Sequence, residues 1–174
     1  FFQTAAMLYD GPWIAERHIS IEKIIEENPA ALHPVTRKVI ENALEFSATD
    51  TFQAQYRLQE LTIQIKEILN DIDMLCVPSV PKYFTLEDLR ADPIGLNTQL
   101  GTYTNFVNLL DLCAITVPTA MRQDNLPGSV TLIGKAGADE RIASVAASLQ
   151  KHERAPLGAK DWKHPELNLK TRIT

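Results

Sequence analysis

The chain has 174 residues, 45% hydrophobic and 22% charged, which suits one soluble globular domain burying roughly 70% of its unfolded surface and excludes disorder, fibres and a second independent catalytic domain. Its 17 Lys and Arg against 22 Asp and Glu give a net charge of -5 with no basic cluster beyond Arg37-Lys38, so no nucleic acid partner is expected, because phosphate binding needs a concentrated basic face. No apolar run reaches the roughly 20 residues of a membrane span. No membrane association is therefore expected, and Cys76 and Cys113, each inside an apolar run, read as small buried hydrophobes in a reducing, cytoplasmic setting.

Phe1, Phe2, Ala5, Met7 and Leu8 form a short apolar segment ended by Asp10-Gly11-Pro12, a turn signal with Pro12 placed to open the next helix. That helix is predicted over residues 13–27, with Trp13, Ile14, Ile21, Ile24 and Ile25 as its apolar positions and Asn28-Pro29 as its stop. Arg17 falls near its start. Pro34 opens a further helix through Val35, Val39, Ile40 and Leu44. Ser47, with Asp50 three residues later, reads as a capping arrangement for another. In that one, Ala54, Leu58, Leu61, Ile65, Ile68, Leu69 and Ile72 recur at spacings of three and four, the period of a buried helical stripe.

Residues 74–80 are a continuous apolar run of strand length, predicted as a strand buried on both faces and limited by Pro78 and Pro81. Residues 82–97 read as an extended loop with one helical turn at 85–90, after which Thr98 is expected to cap a helix through Leu100, Tyr103, Val107 and Leu110. A second buried strand is predicted at 113–121, a turn at Asp124-Asn125-Leu126-Pro127-Gly128 and a third strand at 129–135. Asp139 then caps a last helix through Ile142, Val145, Ala146 and Leu149. The alternation predicts an α/β fold, a sheet covered by helices, over residues 1–150. The polar stretch 151–174 reads as a linker or docking arm toward a further domain.

Little in the chain carries chemistry outright. His18, His33, His152 and His164 are scattered and read as surface residues, so neither a metal site nor a cofactor is expected. Phosphate-cradling glycine loops and the Gly-x-Ser-x-Gly nucleophile elbow are missing from the sequence. Ser79 follows a strand-ending proline and reads as a turn serine rather than a nucleophile. Two dense segments remain, Leu8-Tyr9-Asp10-Gly11-Pro12-Trp13-Ile14-Ala15-Glu16-Arg17 and Leu100-Gly101-Thr102-Tyr103-Thr104-Asn105-Phe106-Val107-Asn108-Leu109-Leu110-Asp111-Leu112. The first is either a ligand-facing segment or a plain turn into a helix, with Trp13 in the core and Arg17 paired to Asp10 or Glu16. The second is open in the same way, Thr104, Asn105 and Asn108 either contacting a ligand or capping backbone.

These two segments, with Ala31-Leu32-His33-Pro34-Val35-Thr36-Arg37 and Phe52-Gln53-Ala54-Gln55-Tyr56-Arg57-Leu58, closely resemble the allophanate hydrolases, in the C-terminal half of their amidase-signature domain. The blocks run in the family's order, over roughly residues 1–149. The resemblance implies a partial amidase-signature domain, a mixed β-sheet covered by α-helices. It also implies hydrolysis of allophanate (urea-1-carboxylate) to ammonia and carbon dioxide in urea degradation.

The family's nucleophilic Ser, second Ser and Lys belong to a Gly/Ser-rich stretch that this sequence does not contain. No catalytic residue is therefore expected here, and an N-terminal catalytic half is the expected partner, with a homodimer and a fused or separate urea carboxylase also implied. A chain opening at Phe1 without an initiator Met is expected to be a fragment. The alternatives are another amidase of the same signature and a non-catalytic carboxylate-binding scaffold.

By the same resemblance the substrate-binding pair is Tyr9 and Arg17. Allophanate is urea bearing a carboxylate, and distinguishing it from neutral amides calls for a fixed cation. A guanidinium can hold a carboxylate through two parallel charge-assisted hydrogen bonds, setting distance and plane together. Tyr9 can add its hydroxyl while its ring packs on the wall, and the pair would orient the amide for attack.

Overall fold

The computed structural model describes residues 1–154. Its sheet is built from β1 (Leu75–Pro78), β2 (Cys113–Thr119) and β3 (Gly128–Gly134), in the order β1-β3-β2 with both pairings antiparallel. Ile133 of β3 stands opposite Leu75 on one side and Ala114 on the other, and its side chain is fully buried. It packs with Ile65, Leu69 and Phe106 on one face of the sheet, while Leu132, Val117 and Ala146 form the core on the other.

The continuous burial expected of the strands at 74–80 and 113–121 is found instead in the middle strand, β3. Residues 131–134 are buried without a break, whereas Cys76 and Pro78 of β1 and Ala114, Thr116 and Pro118 of β2 are exposed. The reason is position: among the described residues β1 and β2 each pair on one side only, and an apolar run does not reveal which strand of a sheet is central. Cys76 is accordingly exposed rather than buried and Cys113 half-buried, both as free thiols.

The first half of the chain is helical: α1 (Phe2–Asp10), α2 (Ile14–Glu27), α3 (Pro34–Glu41), a short 3-10 turn Asn42–Glu45, and α4 (Ala48–Asn70). The Ser47 and Asp50 capping box forms as expected, the Asp50 amide donating to Ser47 Oγ at 3.1 Å and the Ser47 amide to Asp50 Oδ2 at 2.8 Å. Leu61, Ile65 and Leu69 are the buried stripe of α4; Ile68 and Ile72, expected to join it, are exposed. On α2 the inward positions are Ile14 and His18, one turn apart, and Ile24 is exposed. His18, expected at the surface, is thus on the packed face of its helix.

Among the described residues, four further helices follow: α5 (Leu86–Ala91), α6 (Gly95–Leu100), α7 (Phe106–Leu109) and α8 (Asp139–Glu153). Thr98 does not cap a helix running to Leu110. It lies inside α6, its hydroxyl donating to the Ile94 carbonyl, while Asp92 takes the Gly95 amide at 2.8 Å and the chain leaves helical geometry between Gly101 and α7. Asp139 likewise falls inside the first turn of α8, with Ala138 at the cap position, where its charge still favours the helix N-terminus. α8 packs on β2 and β3 and continues to Glu153, past the expected boundary at 150. Glu153 accepts a hydrogen bond from the Ala120 amide at 3.0 Å. Most of the predicted linker or docking arm, residues 155–174, lies outside the described residues. Among those described, no helix is long and apolar enough to cross a membrane.

Candidate functional site: a cleft between α1, α2, α3 and α6

The reversal from α1 to α2 occupies three residues, and it brings Tyr9 and Arg17 together. Gly11 continues the chain in extended geometry at φ -122 and ψ 176, so close that a Cβ there would stand 2.6 Å from the Met7 carbonyl oxygen. Pro12 is buried and its carbonyl accepts from the Ala15 amide at 2.9 Å, which starts the first turn of α2. The Arg17 guanidinium carbon lies 5.5 Å from the centroid of the Tyr9 ring, within the range of a cation–π contact.

Both side chains line one cleft of about 460 Å³, a size typical of small-molecule sites. α3 supplies an apolar wall of Val35, Val39 and Ile40, and the entry to α6 adds Pro93 and Ile94. His33, Asn97 and Thr98 contribute polar groups. Among the described residues that line the cleft, Arg17 is the single member of the Lys, Arg, Asp and Glu class. It forms no ion pair with any described residue, so the pairing with Asp10 or Glu16 that the sequence left open is not made. One uncompensated guanidinium above apolar walls favours a ligand with one negative charge and a planar acid group.

The other sequence candidates fall elsewhere. Ser79 accepts from the Thr131 hydroxyl at 2.9 Å, and Thr131 is 2.9 Å from the Thr116 hydroxyl, a chain of hydroxyls from the residue after β1 across β3 to β2. Among the described residues the hydrogen-bond partner of the Ser79 hydroxyl is Thr131, not a base. Asn105 stands at the head of α7 without a side-chain capping bond, and Thr104, Asn105 and Asn108 do not line the cleft. The carboxyls held below their ordinary range are Asp50, by the Ser47 hydroxyl, Asp88, by the Thr85 hydroxyl, and Asp124, by Arg122. All three serve helix caps or a loop. His33 and Asn97 are cleft residues that the sequence alone did not single out; the one signal was that His33 lies in a conspicuous block immediately before a helix-opening proline.

Residues 6–143 match the Amidase family. The chain belongs to that family. It is 38% identical over 146 residues to the urea amidolyase of Saccharomyces cerevisiae, a match covering 83% of this chain and 8% of the yeast protein. Urea amidolyase of Lachancea kluyveri is 40% identical over 144 residues, 82% of this chain and 8% of the relative. Among solved structures, Kluyveromyces lactis allophanate hydrolase superposes with a TM-score of 0.82 at 36% identity, over 87% of this chain and 25% of that one. The chain therefore has an amidase-signature fold and spans a small part of the length of these amidases.

Proposed function

We propose that this chain is the carboxylate-binding side of an amidohydrolase that converts allophanate to ammonia and carbon dioxide in urea degradation. The observation that carries this reading is the convergence of Tyr9 and Arg17 on one cleft in which Arg17 is the single Lys, Arg, Asp or Glu among the described lining residues. Arg17 grips the substrate carboxylate through its planar fork. Tyr9 steadies the guanidinium with its ring and offers its hydroxyl to the same ligand. Held at that end, the terminal amide is presented to a nucleophile, and the restriction of its motion is itself a contribution to rate.

The Ser nucleophile, the second Ser and the Lys of the amidase signature come from sequence outside this chain, which acts as one half of a composite domain. Similarity to urea amidolyases and to an allophanate hydrolase supports the substrate assignment. On the same basis we propose a cytoplasmic homodimer working with a urea carboxylase, fused or separate, and a connecting role for residues 151–174. The decisive experiment compares kcat/KM for allophanate and for a neutral amide in the complete enzyme before and after Arg17→Ala. A selective loss for allophanate supports the reading. An equal loss for both substrates, with folding intact, contradicts it and favours another amidase or a scaffold.

A further inference from the structure

We infer that His33 is a specificity-determining residue of this cleft, its Nε2–H acting as a neutral donor to the substrate carboxylate beside Arg17 and Tyr9. The inference rests on the carboxylate reading above and extends it to a residue on a different element. His33 precedes Pro34, the first residue of α3. Because proline has no N–H, the first amide that α3 can offer is that of Val35, and it donates to His33 Nδ1 at 3.3 Å. A nitrogen that accepts a hydrogen bond carries no proton, so the neutral imidazole holds its proton on Nε2. His33 therefore has one nitrogen committed to the helix and one, the more distal, available as a donor. His33 is exposed and lines the same cleft as Tyr9 and Arg17.

The charge of the cleft explains why a neutral donor belongs there. A carboxylate has about four lone-pair positions, and a bidentate guanidinium uses two. A second cation would satisfy the others but would also favour a dianion. An imidazole N–H adds a directional bond and leaves a single formal positive charge, that of Arg17, matched to a monoanionic acylurea. The ligand class is thus a planar monoanionic carboxylate joined to an amide, approached by donors from α2 and from the start of α3.

Two isosteric replacements separate this role from helix capping. Asn puts an acceptor near the position of Nδ1 and is a good N-cap, but has no distal donor. Gln reaches close to the position of Nε2 with an N–H, but caps poorly. In the complete enzyme, His33→Asn is expected to keep the melting temperature of the parent and to lose roughly three- to tenfold in kcat/KM for allophanate, mostly through KM. Its preference for allophanate over a neutral amide should narrow by a similar factor. His33→Gln is expected to melt lower and to retain most of that preference.

Parent-like preference in His33→Asn, with preference lost only in step with stability in His33→Gln, would overturn the inference and leave His33 a cap. Arg17→Ala measured alongside separates the two levels. If it narrows the preference and His33→Asn does not, the role of His33 fails and the carboxylate reading stands. If neither changes the preference, both fail.

Discussion

Gly11 and the carbonyl of Met7 fix the angle at which α1 meets α2, since a Cβ at position 11 would stand 2.6 Å from that oxygen. The backbone of Gly11 is extended at φ -122, so the obstacle to a side chain is contact rather than dihedral strain. Gly11→Ala should cost about 1–3 kcal/mol, the usual range for forcing a methyl group into occupied space. Thermal unfolding of the variant checks this, and an unchanged melting temperature would show that the hinge relaxes without cost.

Ile133 and Cys76 predict opposite behaviour from two residues of one sheet. Ile133 is fully buried between β1 and β2, whereas Cys76 is exposed. Ile133→Ala should destabilise by about 2–5 kcal/mol, combining lost transfer energy with the cavity left behind. Cys76→Ala should stay within about 0.5 kcal/mol of the parent. Denaturant midpoints at constant slope measure both. A large cost at Cys76 would mean that β1 is covered on the face that the structure leaves open.

The start of α4 links stability to pH. The Ser47 hydroxyl is the largest cause holding the Asp50 carboxyl below its ordinary value. A depressed carboxyl contributes stability that is fully present above its unfolded value, near pH 4, and is lost as pH falls through the lower folded value. Ser47→Ala should cost about 1 kcal/mol at neutral pH, and the gap between variant and parent should narrow as the solution is acidified below about pH 4, leaving the part due to the Asp50 amide on Ser47 Oγ. A gap that stays constant down to acid unfolding would show that Asp50 takes no part in the cap.

The signals that could be read in the sequence were those whose physics is local. Ser47 and Asp50 are three residues apart and form their cap, and Gly11-Pro12 makes its turn whatever surrounds it. Thr98 and Asp139 had the right side chains for caps, but Ile94 and Ala138 stand at the cap positions, with Asp92 taking the Gly95 amide. His18 is buried because of what packs on α2, which periodicity does not report. Tyr9 and Arg17 were legible only through resemblance to a known family. His33 and Asn97 meet because α3 and α6 converge in space, and no spacing along the chain encodes that convergence.

Tyr83 holds the loop before β3. Its hydroxyl donates to the Pro127 carbonyl, and the Arg122 guanidinium carbon, 5.5 Å from its ring centroid, is held by Asp124 through contacts of 3.1 and 2.8 Å. Tyr83→Phe keeps the ring and removes one hydrogen bond, for an expected cost of about 0.5–1 kcal/mol. Limited proteolysis should then cut residues 120–128 faster than in the parent, because this exposed turn opens locally. Equal cutting rates would assign the order of the loop to Arg122 and Asp124.

Arg17 gives the most discriminating prediction. With the carboxylate held bidentately in the complete enzyme, Arg17→Ala leaves that charge without its partner and should cost roughly 2–5 kcal/mol of transition-state binding, about 30-fold to several thousand-fold in kcat/KM. Arg17→Lys should restore only part, because an ammonium has no planar fork. Tyr9→Phe should lose about 1 kcal/mol, one neutral hydrogen bond, since its ring still supports the guanidinium. Tyr9→Ala should lose more, because the support is gone as well. The control is a neutral amide, for which the contact with Arg17 is never made, so its kcat/KM should fall far less than that of allophanate. If both substrates decline together at an unchanged melting temperature, Arg17 is maintaining the shape of the cleft and the carboxylate is held elsewhere.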